Sequence, residues 1–135
     1  MCFKPIFTKT YIPLLTHLGL LWQTDSIKPA HEHFVSNLIY QKIALNIAKI
    51  PPNKKSNNPI NVLFLPYGEI HELGLLFLNY YLKLVDEEVI YLGKSIPFDN
   101  LFYLNSQIKN ITWITYFMID KTKEEKDEFI FSVAK

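Results

Sequence analysis

Over the first fifty residues, apolar positions recur with a helical period. Leu14, Leu18, Leu21 and Trp22 fall on one face, which predicts a helix from about Phe7 to Trp22, with Pro13 either kinking it or marking its start. The stretch QTDSIK then reads as a turn. Pro29 suits the first turn of a second helix running to about Lys49. On it Val35, Ile39, Ile43, Ile47 and Ile50 form one row, with Phe34, Leu38 and Leu45 beside it, so the apolar face is broad. Two such helices cannot bury both faces against one another. The expectation is that they belong to a larger helical bundle, pack on the rest of the chain, or bring copies of the chain together as a homo-oligomer.

The pattern changes after PPNKKSNNP, Pro51 to Pro59, where paired prolines end the helix and Asn, Ser and Lys continue as a loop. Short, wholly apolar runs now alternate with helical segments. Strands are predicted at Ile60–Leu65, Glu88–Leu92 and Ile111–Phe117, and helices at Glu72–Val85, Pro97–Ile108 and Thr122–Ala134. Thr122 followed by Glu125 is a capping-box pattern for the last helix. Apolar strands alternating with helices predict parallel pairing through right-handed crossovers. The fold class is therefore α/β: a helical hairpin over 1–50, a linker over 51–59, and a doubly wound parallel sheet over 60–135 in the order 2-1-3. Doubly wound sheets commonly carry about five or six strands, so the sheet is expected to be incomplete.

Composition narrows the function classes. Hydrophobic residues make up 49% and aromatics 15%, enough for a packed core. A formal net charge of +1, with Lys54-Lys55 the only basic cluster, gives no electrostatic case for nucleic-acid binding by this chain alone. Cys2 is the only cysteine, so no internal disulfide can form. No apolar run approaches the ~18–20 residues of a membrane span, and the N-terminus lacks the layout of a signal peptide. The expected location is the cytoplasm, with no membrane contact.

The candidate chemistry centres on GEIHELG, Gly68 to Gly74, where the first strand hands over to a helix. Ligands of doubly wound sheets bind beyond the C-terminal strand ends, so His71 stands where a metal ligand would be useful. Glu69, two residues earlier, can accept a hydrogen bond from the other ring nitrogen. Gly74 lets the helix approach something bulky. The plainer alternative is a capped turn with an ordinary histidine at a helix start. A second constellation lies in LWQTDSIKPAHEHF. Nine residues separate Trp22 from Glu32, and a helix–turn–helix brings Trp22, Glu32 and His33 to one end of the hairpin. Here the plainer alternative is a carboxylate favoured by the helix dipole beside surface histidines.

Taken together, W-x9-E-H, E-x-H-x-x-G after an apolar strand, and YLGKSIP after the next strand resemble the cobalamin-binding half of MerR-type transcriptional regulators, which include light-responsive regulators of carotenoid synthesis. The resemblance spans about Ile12 to Tyr116. It implies a flavodoxin-like or Rossmann-like fold under a helical cap, and a sensory rather than enzymatic role. It also implies adenosylcobalamin, or methylcobalamin, bound base-off. His71 would then be the lower axial ligand of cobalt, with Glu69 orienting it. Gly74 would make room for the nucleotide tail, and Gly93 and Thr115 would line that tail. Trp22, Glu32 and His33 would cover the upper face, where the adenosyl group sits. DNA would be reached only through a DNA-binding domain that this sequence does not include. The family's two upstream helices and its last strands with their Gly-Gly loop are likewise outside it. Gln23 follows Trp22 where photoreceptor members often carry a histidine, so the resemblance does not extend to light switching. A corrinoid-carrying domain of a methyltransferase or mutase, and an interaction module without cofactor, are the alternatives.

Overall fold

The computed structural model describes residues 3–52, 59–118 and 121–133. The chain divides into two compact units, Met1–Pro51 and Pro52–Lys135. Most of the expected linker lies outside the described residues.

In the first unit the opening helix is a continuous helical run: α1 (Phe3–Ile6), a π-helical turn (Phe7–Tyr11) and α2 (Ile12–Gln23). It begins four residues earlier than the apolar pattern predicts. The π turn explains how it continues past Pro13. The Ile12 N–H reaches back to the Phe7 carbonyl, and Pro13, which has no N–H to offer, then occupies the first turn of α2. The helix stops where Asp25 enters the left-handed region at φ 57°, with the N–H groups of Asp25 and Ser26 folding back onto the carbonyls of Trp22 and Leu21. Helix α3 (Pro29–Ile47) starts at Pro29 as expected, and the His31 ring nitrogen Nδ1 accepts the Lys28 N–H at 3.1 Å. Helices α2 and α3 contact each other, and Ile39 and Ile43 from the expected row are buried together with Phe7. The flanking Phe34, Leu38 and Leu45 are exposed, as are Ile12, Leu14, Leu20 and Trp22, and α2 buries no residue fully.

The second unit runs β1 (Ile60–Pro66), α4 (Leu73–Leu84), β2 (Val89–Ile96), α5 (Phe98–Gln107), β3 (Ile111–Ile114) and α6 (Lys123–Val133). Its three strands are parallel in the order β2-β1-β3. β1 is central because the crossover through α4 steps one way and the crossover through α5 steps back past it. A strand covered on both faces has no polar side, and Val62, Leu63, Phe64 and Leu65 are all fully buried. Towards α4, Leu63, Leu65 and Leu75 form a core joined by Tyr91, Ile114 and Tyr116. On the other face Phe64 packs against Trp113 and Phe129, and Phe129 also meets Phe98 and Phe117. The capping box forms: Thr122 N–H donates to Glu125 and Glu125 N–H to the Thr122 hydroxyl.

Two strands differ from expectation. β2 continues to Ile96, past the predicted end at Leu92, because it is bulged. Leu63 pairs with Tyr91, Phe64 with Gly93 and Pro66 with Ile96, so β2 carries extra residues opposite β1. Gly93 and Ser95 take positive φ (85° and 55°) at these irregularities. β3 ends at Ile114 instead of Phe117, and Thr115–Phe117 leave the ladder. Among the described residues no helix is long and apolar enough to cross a membrane.

Candidate functional site

The site is built on the loop between β1 and α4. The Glu69 N–H closes a turn onto the Pro66 carbonyl at 2.9 Å, with Gly68 at φ 85° in the position where a type II turn requires glycine. This turn buries the Glu69 side chain, which is 3% exposed, at the C-terminal edge of the sheet. Four N–H groups converge on its carboxylate. Oε1 accepts from Ile70 N (3.0 Å), His71 N (3.1 Å) and His71 Nδ1 (2.5 Å), and Oε2 accepts from Met118 N (2.8 Å). Surrounded by donors, the carboxylate acts purely as an acceptor, which assigns the imidazole proton to Nδ1. In the neutral imidazole Nε2 is then the nitrogen that carries the lone pair, on a side chain that is 54% exposed. The expected pairing of Glu69 with His71 is therefore present, with His71 held in the tautomer that a metal ligand needs.

Residues that sequence reasoning did not single out hold the loop. Ser95, supplied by the bulged end of β2, donates its N–H to the Glu69 carbonyl (3.1 Å), and its hydroxyl accepts the Gly68 N–H (3.1 Å). Glu72, just before α4, accepts from the Tyr91 hydroxyl (3.0 Å) and pairs with Lys94 (3.0 Å). Tyr116 donates to the His71 carbonyl (2.5 Å) and accepts from Leu75 N (3.2 Å). Burial holds the Tyr116 phenol above its usual ionisation range; the Glu69 and Glu72 charges push the same way, and the helix N–H groups oppose them. Tyr67 and Ile70 on the loop, and Met118, whose N–H reaches Glu69, have exposed side chains.

The two glycines have local explanations. A Cβ on Gly74 would stand 3.2 Å from the Tyr116 hydroxyl, so the close approach that Gly74 permits is to Tyr116. Gly93 is a buried bulge residue within β2, whereas the sequence reading put it at the end of its strand; a Cβ there would face Glu72 and Tyr91. Thr115 lies just beyond β3. Its hydroxyl is buried and has no hydrogen-bond partner among the described residues. Ile114 and Tyr116 pack towards α4, while Trp113 and Phe117 pack with the Phe64–Phe129 cluster.

In the helical unit, Trp22 lies in the last turn of α2 and Glu32 and His33 lie near the start of α3, so the hairpin does bring all three to one end. Glu32 is engaged locally, accepting from Ser36 and pairing with His33 Nδ1 at 3.2 Å. Trp22 makes no side-chain hydrogen bond to either among the described residues and is exposed.

No protein-family model matches the sequence, and no curated protein matches it. Among the described residues no three His, Cys, Asp or Glu side chains converge on a common point. His71 thus offers one oriented nitrogen.

Proposed function

We propose that this chain binds cobalamin base-off, with His71 Nε2 as the lower axial ligand of cobalt and Glu69 as the group that orients it. The observation that carries the reading is the buried Glu69 carboxylate, held by four N–H groups and engaging His71 through Nδ1, which leaves Nε2 outside that hydrogen bond. A single imidazole is a poor site for a bare ion but a complete contribution to a corrin, whose ring nitrogens fill the equatorial positions. Exposed Tyr67, Ile70 and Met118 around the loop offer apolar surface to such a macrocycle.

The sensory role, as the effector domain of a MerR-type regulator acting on DNA through a separate domain, is supported by the resemblance of Trp22, Glu32 and His33 to that family's upper-face residues. In this role the chain is not an enzyme, and it works in the cytoplasm as a homo-oligomer. The test is titration in the dark with adenosylcobalamin and with methylcobalamin, read by absorbance. Replacement of the cofactor's benzimidazole by His71 should shift the cobalt bands, and His71→Ala should abolish the shift. Trp22→Ala should weaken the adenosyl form more than the methyl form. Equal weakening would favour a corrinoid carrier over a sensor, and an unchanged spectrum on adding either form to wild type would remove the cobalamin reading.

A further inference from the structure

We propose that the outer edge of β3 is a self-association surface, where a second copy of this chain adds its own β3 antiparallel about a two-fold axis at Thr112. This gives the homo-oligomer proposed above its contact; it rests on that part of the reading and not on cobalamin. The backbone accounts for the free edge. Ile60 N–H donates to the Asn110 carbonyl at 2.9 Å, and β3 pairs with β1 in unbroken register from Ile111 to Ile114. Successive residues of a strand turn their backbone groups to opposite sides. Thr112 and Ile114 therefore face β1, while the N–H and C=O of Ile111 and Trp113 point away from the sheet. Among the described residues β3 pairs with no strand but β1, and no other backbone group bonds Ile111 or Trp113.

The two edges of the sheet are built differently. β2 carries devices that discourage strand addition: register shifts against β1, left-handed Gly93 and Ser95, an exposed Lys94, and Pro97 directly after it. On the other edge the β3 ladder has no bulge, and from Ile111 to Met118 the sequence has no charged residue and no proline. That edge is also complementary to itself, which is what selects a second copy as its partner. With the axis at Thr112, Ile111 of one copy lies opposite Trp113 of the other, and each outward N–H meets an outward C=O. A β-branched side chain then faces an aromatic one on either side of the axis, and Thr112 faces Thr112; both are favourable cross-strand pairs. An axis at Trp113 would instead set Ile111 against Thr115, which lies beyond the last paired residue. Two three-stranded sheets joined at Thr112 make one continuous sheet of the usual size, about five or six strands. β3 is only four residues long, so the contact is weak and depends on concentration.

The experiment uses the full chain without cofactor. Sedimentation equilibrium should show a dimer that forms as concentration rises. Thr112 is exposed, so the single copy accommodates a charge there. Thr112→Lys and Thr112→Glu each set like charges across the axis and should weaken dimerisation by about fivefold. An equal mixture of the two variants, with Lys facing Glu, should dimerise more tightly than either alone. A second readout needs no variant. In hydrogen exchange of wild type, the Ile111 and Trp113 amides should gain protection as concentration rises, while those of Thr112 and Ile114, already bonded to β1, should change little. A chain that stays monomeric overturns this contact and the proposed oligomer together. An oligomer that neither charge weakens, a mixture no tighter than its components, or unchanged protection of Ile111 and Trp113 overturns the contact alone. Cobalamin binding is decided separately, by the titration in the dark.

Discussion

The two units each carry a glutamate beside a histidine, and the pairs differ in almost every physical respect. Glu32 and His33 stand 3.2 Å apart on an α3 surface turn, with the carboxylate 33% and the imidazole 67% exposed. Glu69 and His71 stand 2.5 Å apart with the carboxylate 3% exposed. Water solvates much of the first pair, so its attraction is weak, and the Glu32 carboxylate is held only by Ser36 and His33 from its own helix. The second pair is fixed from the backbone outward, by a glycine turn before it, Ser95 beside it and Met118 across from it. The contrast shows what turns a common residue pair into a candidate ligand site: burial of the carboxylate, full use of its lone pairs, and an imidazole left with one free nitrogen.

The largest expected effect is the difference between the two carboxylates. Glu69→Ala leaves several N–H groups without an acceptor, at about 1–3 kcal/mol for each that stays buried, so a total loss of ~3 kcal/mol or more is expected in chemical denaturation. Glu32→Ala should change stability by less than ~1 kcal/mol. Similar losses at both positions would remove the distinction.

Next in size is the coupling of Gly74 to Tyr116. Alanine is favoured over glycine in a helix by about 1 kcal/mol, but the added Cβ crowds the phenol. Gly74→Ala should therefore be close to neutral in wild type and stabilising by up to ~1 kcal/mol beside Tyr116→Phe. A double-mutant cycle measures this, and strict additivity would show that the two residues do not compete for space.

The apolar pattern made the second unit largely legible. Four consecutive buried residues in β1 required a central strand, and the return crossover then set the order. The Thr122–Glu125 box was local and readable. The length of β2 was not readable, because Gly93, Lys94 and Ser95 look like a turn and only the pairing with β1 reveals the bulges. The site was half legible. Glu69 and His71 are two residues apart, so their hydrogen bond could be inferred from spacing. Ser95, Tyr116 and Met118 reach the loop from far along the chain, and no local pattern points to them. The one available clue was the alternation Trp113, Ile114, Tyr116, Phe117, which continues past the end of the ladder and places Tyr116 on the α4 side. In the first unit the Ile39–Ile43 row was legible, while Phe34, Leu38 and Leu45 on the same broad face are exposed among the described residues.

Smaller effects come from ionisation. The folded pKa of Tyr116 lies above its unfolded value near 10, so its neutral phenol contributes stability that is complete below that pH and is lost as pH rises through the folded pKa. Alkaline unfolding followed by circular dichroism should start later for Tyr116→Phe than for wild type, once their stabilities at neutral pH are allowed for. The reverse order would contradict the assigned environment. At the other end of the unit, Thr122→Ala should cost about 0.5–1.5 kcal/mol. The Glu125 carboxyl is held below its usual range, chiefly by the Thr122 N–H, so its contribution is present above that range and lost as pH falls through the lowered value. An acid titration of its side-chain resonance checks this.

The central claim is that His71 Nε2 is presented as an axial nitrogen ligand. Its most direct test is electron paramagnetic resonance of cob(II)alamin bound to protein made with 15N-labelled histidine. If His71 has replaced the benzimidazole, the superhyperfine lines from the axial nitrogen should change from triplets with unlabelled protein to doublets with labelled protein, and His71→Ala should remove the change. Triplets that persist with labelled protein would mean the cofactor keeps its own base, and would contradict the account.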